Sequence, residues 1–76
     1  MEVNGKVRKF ISRFIGEKTF EDNDNIFEKG LVNSLFAMQL VVFIENEFAI
    51  ILENNDIEID NFKDVNSITS LIQSKL

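Results

Sequence analysis

Apolar residues at Val3, Val7, Phe10, Ile11, Phe14 and Ile15 recur at i, i+4, i+7, i+8, i+11 and i+12. That spacing puts them on one face of an α-helix, which Gly16 is placed to end. The seventeen residues that follow, EKTFEDNDNIFEKGLVN (17–33), lose the period. They are polar and turn-rich, with Phe20, Ile26, Phe27 and Leu31 as candidates to plug into a core. A loop this long in a small domain is unusual and often functional, and mobility is expected of it. The helical period returns in SLFAMQLVVFIENEF (34–48), behind Asn33, a good N-cap residue. Its inward stripe is expected to be Ala37, Leu40, Val41, Ile44 and Phe48.

After the polar ENND (53–56), the stretch IEIDNF (57–62) alternates like a strand. A lone strand has nothing to pair with, so a single short helical turn is predicted there. Asp64 then caps a last helix carrying Val65, Ile68, Leu71, Ile72 and Leu76 at three- and four-residue spacing. With no Pro in the chain, these periods predict an all-α bundle of three long helices and one short one, in a single domain over residues 1–76.

Composition narrows the chemistry. A 76-residue domain buries only about 60% of the surface its unfolded chain exposes, so a deep catalytic cleft is not expected. There is no Cys and no His. That removes disulfides, thiolate and imidazole metal ligands, Cys nucleophiles and Ser–His pairing, and no enzymatic activity of its own is expected. No apolar run nears the roughly 18 residues of a bilayer span, and the start MEVNGKVRKF lacks the apolar stretch of a signal peptide. A cytoplasmic protein, present in full, is the expectation.

The formal charge of −5 is unevenly spread. Residues 1–16 carry Lys6, Arg8, Lys9 and Arg13 against Glu2, whereas residues 17–60 carry eleven acids against Lys18 and Lys29. The acidic middle should repel nucleic acid and attract basic surfaces, unless the basic first helix balances it within the molecule. DNDN (22–25) hints at calcium, but the EF-hand frame started at Asp22 puts Phe27 where Gly belongs and Asn33 where Glu belongs. No metal is expected.

One hydroxyl stands out. The stretch GLVNSLFAMQL sets Ser34 in the first turn of the second helix, directly after the long loop. A helix start offers free N–H groups and a partial positive charge, which suits a phosphate ester on that hydroxyl. Position alone leaves a second reading open, in which Ser34 is simply the cap of its helix.

Beyond position, NSLFAMQLVVFIENEF (33–48) resembles the signature of acyl carrier proteins, D-S-L followed by a helix with apolar and acidic positions that ends E-x-x-F. The resemblance runs over nearly the whole chain, from an amphipathic first helix through a loop ending in Gly to a last helix after F-K-D-V. It implies the carrier fold, and it implies that Ser34 takes 4′-phosphopantetheine from coenzyme A through a phosphopantetheinyl transferase. The arm's thiol would then hold an acyl group as a thioester. Asn33 stands where the family has Asp, and Phe36 and Gln39 stand where fatty-acid carriers place acids, so the acidic recognition helix is diluted. In this form the stretch is most similar to free-standing carriers of hydroxy-, methoxy- or aminomalonyl extender units for polyketide or hybrid peptide antibiotics. D-alanyl, aminoacyl and fatty-acid carriers share the architecture. The implied partners are acyl-loading enzymes, tailoring enzymes and an acyltransferase or synthase.

The second helix is apolar beyond its inward stripe, so some of Leu35, Phe36, Met38, Val42 and Phe43 must be exposed. The expected docking set beside the serine is Leu35, Phe36, Met38, Gln39, Val42 and Glu45. Packing of some of these under the loop, or a dimer contact, are the competing accounts; a monomer is expected. A function of another class also stays open, a non-covalent interaction module in which Ser34 carries nothing.

Overall fold

The computed structural model describes residues 2–16 and 18–76. Among them the regular structure is all helical: α1 (Val3–Ile15), α2 (Ser34–Phe48), a 3-10 turn at Asn54–Asp56, α3 (Ile59–Phe62) and α4 (Val65–Lys75). The three long helices and one short helix form a small bundle, as the periods predict. No described helix is long and apolar enough to cross a membrane.

One apolar core joins the elements. Val3, Val7 and Ile11 of α1 are buried, with Phe10, Phe14 and Ile15 packed half-buried against them. α4 buries Val65, Ile68, Leu71 and Ile72, and α3 contributes Phe62. No polar or charged residue is buried among the described residues, so apolar burial dominates the fold's stability. Leu76, expected in the last inward stripe, lies past the end of α4 and is exposed.

The helix ends follow their sequence signals. Gly16 takes φ 78° and its N–H reaches the Ser12 carbonyl at 2.9 Å, a backbone conformation that costs a side-chain-bearing residue about 1–2 kcal/mol. The Asp64 carboxylate accepts the Ser67 N–H at 2.7 Å and starts α4. At the end of α2 the left-handed position is filled by Ala49 (φ 55°) where Gly is usual. From there the chain runs extended, burying Ile50 and Leu52 and exposing Ile51.

The long loop is anchored to the core, with Phe27 and Leu31 packed half-buried against it as their plug positions predict. Phe20, Ile26 and Val32 are buried in the core. The Ile26 N–H donates to Lys63 O and the Asn66 N–H donates to Asp22 O, tying the loop to the α3–α4 corner. The Asn25 side chain accepts the Phe27 and Glu28 N–H groups and starts a helical turn that ends at Gly30, φ 72°. A clasp on α1 completes the anchoring. Arg8 donates to the Asp22 carboxylate and to Phe20 O, its guanidinium lies 4.4 Å from the Phe20 ring centroid, and Asn4 donates to the same carboxylate. This clasp and the Lys6–Glu47 pair show α1 partly balancing the acidic middle of the chain.

Hydrogen bonds from Asn4 and then Arg8 hold the Asp22 carboxyl below its ordinary 3.8, and Lys75 followed by the Glu53 N–H does the same for Asp56. A folded-state pKa below the unfolded one stabilises at every pH above the unfolded value, and the gain disappears as pH falls through the folded value. The thermal midpoint followed by circular dichroism should therefore be level near neutrality and fall below about pH 4. Asp22→Asn should remove part of that fall and leave the part due to Asp56. An unchanged acid limb in Asp22→Asn would show that the clasp does not couple to folding.

Candidate functional site

The start of α2 is built by Asn33, whose backbone is extended (φ −145°, ψ −170°) and whose Oδ1 accepts the Phe36 N–H at 3.2 Å. The Asn33 carbonyl takes the first helical bond, from the Ala37 N–H at 3.2 Å. Asn33 is thus the N-cap and Ser34 the first helical residue. The capping duty is filled by Asn33, and the reading of Ser34 as the cap of its helix is overturned. Ser34 is exposed, and no side-chain hydrogen bond among the described residues engages its hydroxyl. The Ser34 and Leu35 N–H groups precede the first helical donor, Ala37, and keep the partial positive charge of a helix start, with no acidic residue in the first turn to neutralise it.

Below the serine α2 presents two apolar hollows. One, of about 540 Å³, is lined by Phe10, Leu35, Met38, Gln39, Val42 and Phe43 and runs between α2 and α1. The other, of about 260 Å³, is lined by Ala37, Met38, Val41 and Ile57 on the side of the 3-10 turn and α3. Met38, 69% exposed and one turn below Ser34, lines both. Neither hollow is lined by a charged side chain, so both are apolar recesses on the flanks of α2. No family model matches the chain, and no curated protein matches it.

Of the six residues expected to dock partners, Leu35, Met38, Gln39 and Val42 are exposed and line one groove together. Phe36 is a correction. It is fully buried, with its ring centroid 5.0 Å from Phe14, 5.8 Å from Phe10 and 6.3 Å from Phe27, and it joins α1, the loop and α2. The aromatic residues of α1 and the loop approach α2 on Phe36's side, so the inward stripe is Phe36, Leu40, Ile44 and Phe48. Ala37 and Val41, expected in that stripe, are only half-buried at its edge. Glu45 is half-buried, and its carboxylate accepts the Leu52 N–H at 2.9 Å. Its first duty is therefore to hold the extended chain after α2.

Phe10 and Ile57 belong to the hollows and were not expected there, whereas Phe43 was among the α2 residues of which some were expected outside the core. The sequence did carry a signal for one wall: Leu35, Gln39 and Phe43 follow i, i+4, i+8, a second apolar-flanked stripe beside the inward one.

Exposure of the ridge has a direct consequence for mutants. Met38→Glu and Val42→Glu should each fold with thermal stability within about 0.5 kcal/mol of the parent, because both side chains already face water. Loss of the cooperative melting transition in either variant would show that the ridge is packed in the native state.

Proposed function

We propose that the protein is an acyl carrier protein in which Ser34 bears a 4′-phosphopantetheine arm. The observation that carries this reading is that Asn33 caps α2, which leaves an exposed Ser34 hydroxyl at the first helical position with no hydrogen-bonding duty in the fold. The anchored loop before it and the rigid helix after it hold that hydroxyl at the surface, where a transferase can reach it.

In loading, Ser34 Oγ attacks the coenzyme A phosphorus that bears the pantetheine. A serine O–P bond forms, the P–O bond of the pyrophosphate breaks, adenosine bisphosphate leaves, and the hydroxyl proton passes to a base of the transferase. The unpaired N–H groups of Ser34 and Leu35 stabilise the negative charge of the resulting phosphate ester. Once attached, the arm supplies a thiol on which an acyl group is held as a thioester. Apart from the Ser34 hydroxyl, the chain positions and presents; the acid, base and acyl-transfer groups belong to its partners.

The N-S-L-F-A-M-Q-L-V-V-F form of α2 supports a malonyl-type extender unit as cargo, delivered and removed by loading, tailoring and acyltransferase or synthase enzymes. The test is the intact mass of the purified protein after incubation with coenzyme A and a broad-specificity phosphopantetheinyl transferase. One added phosphopantetheinyl group per chain is expected. No gain with several transferases would overturn the carrier reading in favour of a non-covalent interaction module.

A further inference from the structure

The groove between α1 and α2 does not have the charge that an acidic protein would lead one to expect on its binding face. Its floor is the stacked pair Phe10 and Phe43, with ring centroids 4.4 Å apart and planes within 17°. On α2's side the rim is apolar, with Leu35, Met38 and Val42 each more than half exposed. On α1's side Lys6, Lys9, Phe10 and Arg13 fall at i, i+3, i+4 and i+7, one face of the helix, and Lys9 and Arg13 are exposed. These three cations share a smaller hollow of about 170 Å³ with Phe10, Phe43 and Glu47, so the aromatic stack is the common wall of an apolar groove and a basic one. Glu47 is the acid of that hollow, and it is paired with Lys6. The two together contribute no net charge, and Lys9 and Arg13 set the sign.

We infer that the α1–α2 groove is a docking surface for a partner protein's amphipathic helix that carries acidic side chains beside its apolar face. Charge complementarity selects this occupant. An apolar ridge on the partner would fill the groove over Phe10 and Phe43, while carboxylates on its flank would meet Lys9 and Arg13. The polarity is the reverse of that set by the acidic bulk of the chain, so the molecule presents two electrostatically distinct faces. A basic partner is directed to the acidic middle and an acidic one to the α1 side of Ser34's helix. The inference stands whether or not Ser34 is modified.

A second copy of this chain is the competing occupant, since its Ile57–Asp60 segment alternates exposed Ile57 and Ile59 with exposed Glu58 and Asp60. Two copies at −5 each repel, which disfavours it.

The experiment uses the full, unloaded protein, uniformly labelled for NMR, titrated with two synthetic helical peptides. Both carry leucine at i, i+3 and i+7; one has glutamate on the flanks and the other lysine. The glutamate peptide should shift the Phe10, Leu35, Val42 and Phe43 resonances and bind about tenfold more tightly than the lysine peptide at low salt. That preference should vanish in Lys9→Glu/Arg13→Glu, whose fold is checked by its own spectrum. Equal binding, tighter binding of the lysine peptide, or shifts confined to the Ile57 side would each overturn the proposal. Shifts of the groove resonances with protein concentration alone, matched by a dimer in sedimentation, would overturn it in favour of the second copy.

Discussion

Ser34→Ala is expected to abolish phosphopantetheine loading completely while changing stability by no more than about 0.5 kcal/mol. The two halves of that expectation come from one geometric fact. Asn33 Oδ1 holds the Phe36 N–H, so removing the Ser34 hydroxyl deletes the group that would take the arm without deleting a cap. Ala is also the best helix former, which offsets any small loss at an exposed first-turn position. Asn33→Ala makes the opposite change. It keeps the hydroxyl and loses the cap, at a cost of about 1 kcal/mol. Intact mass after transferase treatment and a urea unfolding curve on both variants separate the roles. Loading that persists in Ser34→Ala would refute the attachment site. A stability loss of about 1 kcal/mol or more in Ser34→Ala would mean that the hydroxyl has a structural bond after all.

Phe36→Ala is expected to cost about 3–5 kcal/mol. Burial is complete, and the ring packs on aromatic residues from α1 and from the loop, so truncation leaves a cavity that no single element can collapse to fill. A domain of this length has a total stability of about 4–11 kcal/mol. The substitution therefore removes a large fraction of it, and at 37 °C a substantial unfolded population should appear. The urea midpoint measures this directly. A shift equivalent to less than about 1 kcal/mol would contradict the core position of Phe36. The contrast with Met38→Glu, two residues along the same helix and expected to be nearly neutral, makes the pair a sharp test of which face of α2 turns inward.

The part legible in the sequence was the part governed by local rules. Helix period placed α1, α2 and α4, and capping chemistry placed their ends at Gly16, Asn33 and Asp64. Ser34 was legible as a first-turn hydroxyl because the N-cap signal sits immediately before it. These features depend on residues within one turn of each other, and no tertiary contact overrides them.

What the tertiary structure decided was the rotation of α2 and the state of the loop. SLFAMQLVVFIENEF is apolar on more than one face, so its period alone does not say whether Phe36 or Ala37 heads the buried stripe. The rings of Phe10, Phe14 and Phe27, distant in sequence, select Phe36 and leave Ala37 and Val41 at the edge. The same holds for residues 18–33, whose apolar plugs the sequence shows but whose polar anchors it does not. Arg8, Lys63 and Asn66 bind the loop's backbone and the Asp22 carboxylate across the fold. Such contacts join residues far apart in the chain, and their partners become definite only when the helices have packed. The sequence determined that a serine would stand at the head of a helix; packing determined which apolar residues beside it stay outside and form the grooves below it.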